Sequence, residues 1–274
     1  MTLPTARTVT RVAYRARGSG PGQRRVPEET PIALTYNGTT HAVMMATPSD
    51  LEDFAYGFTL TEGIVSDVGA IQGVELVEFE QGIDLQIDLA IDASEALARR
   101  RRRMAGPVGC GLCGIESIEQ ALRPASLVSA ELVLSCAEVA QATAQLAEKQ
   151  VLNAETRAVH AAGFYLPGKG IVLAREDVGR HNALDKLVGG IARAGMDGGA
   201  GAIALTSRVS IEMVQKAAAC GCPMIIAVSA PTALAVRMAD LARLTLIAVA
   251  RGDEFEIFTH PHRVSIRETE HVEQ

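Results

Sequence analysis

Three short apolar runs, GAIALTS, PMIIAVS and LTLIAVAR, recur in the second half of the chain, separated by the amphipathic stretches IEMVQKAAACG and PTALAVRMADLAR. Apolar runs of this length, bounded by turn residues, read as buried strands. Their alternation with helices predicts an α/β sheet, largely parallel, with helices packed on both faces. Ahead of them AEVAQATAQLAEKQ is helical, AVHAAGFYL and GIVLARED read as two more buried strands, and GRHNALDKLVGGIARAG reads as a helix stopped by glycine.

The first half has a different texture. LTY and HAVMMAT flank Asn37-Gly38, a hairpin signal. SDLEDFAYGFTLTEGIV follows as a helix, with Ser49 or Asp50 at its start and Gly63 at its end. GVELVEFE and IDLQIDLAID alternate apolar with polar residues, the pattern of strands with one wet face. The expected organisation is a flexible basic segment over 1–27, an N-terminal α+β region over 28–130 that ends in a mobile cysteine loop, and an α/β domain over 131–274.

Charge and cysteine content narrow the function. The chain carries a net charge of −6 and no tryptophan, which argues against a general nucleic-acid binder. Residues 1–27 nevertheless hold six arginines and no acid. Five cysteines, of which Cys110 and Cys113 alone form a CxxC pair, do not make a disulfide framework. No apolar run reaches the ~18 residues of a membrane span, so the expectation is a cytoplasmic protein with reduced thiols.

Three strand-to-helix junctions carry polar residues: EDVGRHN, TSRVSIE and VSAPTAL. In a parallel sheet such junctions gather at the carboxyl edge, where ligands bind. Each also opens a helix, whose free N–H groups favour anions, and Arg180 and Arg208 add charge. Alternatively, Ser207, Ser210 and Ser229 are ordinary caps, with Pro231 in a first turn.

The segment GPVGCGLCGIES, residues 106–117, sets its two thiols among glycines just after the run Arg99–Arg103. A zinc site would need a second pair, and Cys220-x-Cys222 has poor spacing. A thioredoxin-like pair would open a helix directly after a strand. A sulfur-carrying thiol fits better: glycine neighbours let the chain enter a partner's active site, arginines favour the thiolate, and the second cysteine can displace the outer sulfur.

Taken together, TPIALTYNGTTHAVMMATPSDLEDFAYGFTLTEGIV, CGLCG, REDVGRHNALDKLVG, SRVSIEMVQKAA and VSAPTALAV resemble, in order, the blocks of the formate dehydrogenase accessory sulfurtransferase family, FdhD. The resemblance covers roughly residues 28–267. It implies a fold that is α/β, α+β overall, with a C-terminal cytidine-deaminase-like three-layer α/β/α domain and a smaller N-terminal α+β region. It implies a sulfur carrier that takes persulfide sulfur from a cysteine desulfurase. The carrier passes this sulfur to the molybdenum cofactor, bis(molybdopterin guanine dinucleotide), before insertion into formate dehydrogenase. Cys110 would hold the persulfide and Cys113 would assist.

The segment Phe258, Thr259, His260, Pro261, His262 and Arg263 resembles the part that contacts the cofactor, and Ser207, Arg208 and Ser229 are expected to join it in holding a diphosphate, with GDP as a mimic. No permanently bound cofactor or metal, no nucleic acid and no membrane are expected; a homodimer is. The alternative is a non-catalytic chaperone that binds the molybdenum cofactor for formate dehydrogenase. A zinc deaminase reading fails at His160-Ala161-Ala162, which lacks the glutamate of that chemistry.

Overall fold

In the computed structural model, residues 3–16, 18–94, 97 and 123–266 are described. Cys110, Cys113 and the run Arg99–Arg103 lie outside them.

β3 (Thr30–Tyr36) and β4 (Thr39–Ala46) form the expected hairpin. Asn37 and Gly38 close it with φ of 47° and 77°, the paired positive values a type I′ turn demands. β5 (Ile71–Phe79) and β6 (Gly82–Leu89) form a second hairpin, and β6 lies parallel to β3, giving the order β4-β3-β6-β5. Along β6 the alternation puts Ile83, Leu85, Ile87 and Leu89 in the core. α1 (Leu51–Thr61) covers that face with Phe54, Ala55 and Phe58.

The second sheet has the order β9-β8-β10-β11-β12-β13, built from β8 (His160–Leu166), β9 (Gly170–Asp177), β10 (Ala202–Leu205), β11 (Met224–Ala227), β12 (Thr245–Arg251) and β13 (Glu254–Ile257). It is mixed rather than largely parallel: β10, β11 and β12 run parallel, while β8 and β13 run antiparallel to their neighbours. The connections decide this. Tight turns at Gly168 and Gly252, both at positive φ, can join only antiparallel strands, whereas the helical crossovers join parallel ones. β7 (Leu134–Ser135) leads into α2 (Cys136–Glu148), which a Ser135–Glu138 capping box opens and which covers one face. α4 (Arg180–Arg193), α5 (Ile211–Ala219) and α6 (Ala233–Leu241) cover the other. Helices on both faces make three layers.

Residues 6–27 correct the expectation of a flexible lead-in. β1 (Ala6–Arg15) and β2 (Gly18–Pro27) pair along their whole length. The glycine-rich second strand hid the pattern, because its pairing is supplied by the backbone. Its base is fixed by contacts distant in sequence. Ala6 packs on Leu152 and Val159, and Arg24 and Arg25 reach the Thr156 carbonyl and Glu155 of the short helix α3 (Val151–Thr156).

The two sheets are joined where α1 crosses α4. Gly57 and Gly189 permit the contact: a Cβ at Gly57 would stand 1.7 Å from the Asp185 carbonyl oxygen, and one at Gly189 1.8 Å from that of Asp53. Beside the crossing, Lys186 and Asp177 form a fully buried pair at 2.6 Å. Both are tied to Thr47 of the first region, Lys186 by donating to its carbonyl and Asp177 by accepting from its N–H.

Candidate functional site

β9 runs in the same sense as β10 and β11, because each is antiparallel to β8 or parallel to a strand that is. The three polar junctions therefore do meet at one edge of the sheet. A parallel bridge between Val209 and Pro231 joins the second to the third. The helix caps differ from the sequence reading. Thr232, not Ser229, caps α6 by accepting from Ala235 N–H at 3.2 Å. Ser229 instead gives its carbonyl to Val249 N–H. Ser207 is buried and donates to the Arg208 carbonyl at 3.0 Å. Arg208 is exposed. Ser210 occupies the cap position of α5 without bonding to its backbone.

The block REDVGRHNALDK runs through this edge, and most of its polar side chains hold the fold together. Arg175 binds Asp53 at 2.7 Å, and Glu176 accepts from Leu152 and Asn153 N–H at the start of α3. Asp177 accepts from Thr47 and Gly179 N–H, from Asn182 and from Lys186. Asp185 accepts from Thr61 at 2.6 Å and from Lys216.

Two members of the block are left over. Arg180 Nε and His181 Nε2 are shut off from solvent and have no hydrogen-bond partner among the described residues. Burial, with the positive charges of Arg180 and Lys216, pushes the His181 pKa down to about 4. His160, at the start of β8 on the same edge, is also held low, by burial and then by Arg180. Glu212 faces them. Burial opposes its charge, but the Ser210 hydroxyl, its own backbone N–H and then His181 and Arg180 outweigh that and lower its pKa.

The sequence reading marks Arg180 only as a charge and passes over His181. The signal was present in the block: once the salt-bridged positions are accounted for, these two remain.

The structure does not bring all the expected residues together. β13 returns antiparallel to β12, so Phe258–Arg263 lie at the opposite edge of the sheet from Ser207, Arg208 and Ser229. At ~3.3 Å per residue even a four-residue strand separates its ends by roughly 10 Å. A single diphosphate held by Arg208 and Arg263 together is therefore corrected to two separate places. Arg263 is itself buried, its guanidinium donating to the Arg243 carbonyl. Thr259 is also structural, accepting from Leu246 N–H and donating to the Leu244 carbonyl. His260 stacks edge-on against His262, and Pro261 opens the 3₁₀ turn that carries both His262 and Arg263. Phe258, Pro261 and His262 are the members left at the surface.

The cysteine segment returns to the described chain at Arg123. Its guanidinium donates to the carbonyls of Thr61 at 2.6 Å and Glu62 at 2.9 Å, at the end of α1. Gln215 of α5 donates to the Arg123 carbonyl at 2.7 Å. Lys216, next along, binds both Glu62 and Asp185. The root of the segment thus sits on the same α1–α5 contact whose Glu62 and Lys216 act on His181. The other thiols are quiet: burial pushes Cys220 up to about 11 and Cys222 higher still. Cys136 Sγ approaches the Ser265 carbonyl at 3.6 Å. No group of three or more metal-ligating side chains occurs among the described residues.

An α+β protein built on two main sheets, with a cationic, histidine-bearing sheet edge beside the root of a CxxC segment, is the class defined here. The chain belongs to the FdhD/NarQ family, whose model matches residues 27–265. It is 55% identical to the sulfur carrier protein FdhD of Agrobacterium fabrum over 94% of this chain and 96% of that one. It is 47% identical to the protein of the same name from Bordetella bronchiseptica, over 88% and 87%. A crystal structure from Desulfotalea psychrophila, described as that of a formate dehydrogenase accessory protein, superposes with a TM-score of 0.76 at 26% identity, covering 96% of this chain and all of that one. No described helix is long and apolar enough to cross a membrane.

Proposed function

We propose that this chain is a sulfur carrier that serves formate dehydrogenase. Cys110 accepts a persulfide from a cysteine desulfurase, and the sulfur passes to the molybdenum cofactor, bis(molybdopterin guanine dinucleotide), as substrate. The thiolate of Cys113 attacks the inner sulfur of the Cys110 persulfide. A disulfide between the two cysteines forms, the bond to the outer sulfur breaks, and that sulfur leaves with the electron pair and takes one proton from solvent, as hydrosulfide. A cellular thiol resets the disulfide.

The observation that carries this reading is the anchoring of the CxxC segment at Arg123, beside a sheet edge with buried unpartnered donors. In the cytoplasm the carrier acts as a homodimer, and residues Phe258 and His262 meet the guanine end of the cofactor.

Intact-mass analysis after incubation with a cysteine desulfurase and cysteine tests the proposal. The chain gains one sulfur that reductant removes, and Cys110→Ala gains none and fails to activate formate dehydrogenase. Full activation by Cys110→Ala would leave only a cofactor-binding chaperone.

A further inference from the structure

We infer that Arg180 and His181 form a binding site for a small, soft anion: the hydrosulfide released in the transfer proposed above, on which this assignment rests. Of the polar side chains between Arg175 and Lys186, the others find partners in the fold. Within this block Arg180 Nε and His181 Nε2 are the two buried without one among the described residues, and Ser210 Oγ, on the same edge, shares that state. A buried donor left without a partner costs about 1–3 kcal/mol, and native structures rarely leave one without a reason.

The chemistry of the pair selects the ligand. Arg180 is a permanent cation whose buried Nε–H is unused. His181 stays neutral near pH 7 because its pKa lies near 4, so its Nε2 can donate as N–H without delivering a proton. Two N–H donors and one fixed positive charge suit a single anion. Hydrosulfide, weakly hydrated compared with phosphate, enters a part-buried place at lower desolvation cost.

The charged groups facing His181 are Arg180 on its own helix, Lys216 and Glu212 on α5, and Glu62 at the end of α1. Lys216 is already bound to Glu62 and Asp185. Glu212 makes no ion pair with Arg180 among the described residues, so Arg180 keeps its charge for a ligand and Glu212 keeps larger polyanions at a distance.

The tether also fits. Cys113 precedes Arg123 by ten residues, and ten residues span at most ~33–36 Å. Arg123 is fixed to Glu62, whose charge His181 feels.

Bromide, a monovalent anion of similar size, is the probe for the site itself. Crystals of the full chain soaked in sodium bromide are expected to show anomalous density between Arg180 Nε and His181 Nε2, lost in Arg180→Gln/His181→Gln. No density there in the wild type, or density undiminished in the variant, overturns the assignment, whatever the fate of the carrier function.

The second measurement is hydrosulfide release per sulfur loaded, from persulfidated protein whose mass gain has been verified. Release from Arg180→Gln is expected to slow about tenfold or more, with partial recovery in Arg180→Lys, since removing one donor to a developing anion has effects of at least that size. Release at the wild-type rate overturns the link to sulfur. A wild-type chain that never loads sulfur defeats the carrier function instead, and the bromide result then decides the anion site alone. Matching melting temperatures for variant and wild type exclude misfolding as the cause.

Discussion

His181 shows how a single residue can carry a pH signature for the whole fold. Its pKa is about 4 in the folded chain, against about 6.5 unfolded. The folded state therefore takes up this proton later than the unfolded state does. The stability this group contributes is present above pH 6.5 and is lost as the pH falls from there toward 4. Between pH 7 and pH 5 the expected loss is about 2 kcal/mol, at 1.36 kcal/mol per unit. Urea denaturation at the two pH values, for wild type and His181→Gln, measures it. The variant is expected to have the flatter profile, and equal slopes would show that His181 titrates normally. His160 shifts in the same direction but is present in both proteins, so it drops out of the difference.

At the scale of elements, the join between the sheets is more demanding than either sheet. Gly57→Ala and Gly189→Ala each place a methyl within 2 Å of a backbone carbonyl on the opposing helix. Neither helix can yield without moving a whole layer, so each variant is expected to lose about 3 kcal/mol or more. Thermal unfolding checks this, and a change below about 0.5 kcal/mol would mean that α1 and α4 do not cross there.

Lys186→Met strands the Asp177 carboxylate in a buried place and is expected to cost about 3–5 kcal/mol. Arg25→Gln breaks only an exposed pair with Glu155 and is expected to cost less than about 1 kcal/mol. Chemical denaturation of the two variants side by side separates a pair that joins elements from one that decorates a surface.

Over the whole molecule, the second sheet offers two ligand edges rather than one. If the guanine dinucleotide cofactor meets the carboxyl edge through Arg208, then Arg208→Gln weakens GDP binding in calorimetry and changes stability by less than about 0.5 kcal/mol. Arg263→Gln is expected to behave in the opposite way. It removes the buried guanidinium that holds the Arg243 and Pro223 carbonyls and costs about 1–3 kcal/mol of stability, with any loss of GDP affinity following from that. Loss of GDP binding in a fully stable Arg263→Gln would return Arg263 to the ligand site.

Much of this protein was legible one residue after another. The Asn37-Gly38 turn, the alternation along β6 and the apolar runs of β10, β11 and β12 are local signals, because a turn needs particular φ values and a strand face has a period of two. The family blocks were also legible, and with them the CxxC pair. Strand direction at β8 and β13, the pairing of β2 and the placing of Phe258–Arg263 far from Arg208 were not, because each depends on which segment the backbone meets after the chain has turned back. The same holds within the block REDVGRHNALDK. Sequence alone presents Arg175, Asp177, Arg180, His181 and Lys186 as equal polar residues. Only tertiary packing, by giving Arg175, Asp177 and Lys186 buried partners and leaving Arg180 Nε and His181 Nε2 without any, separates the residues that hold the fold from those free to hold a ligand.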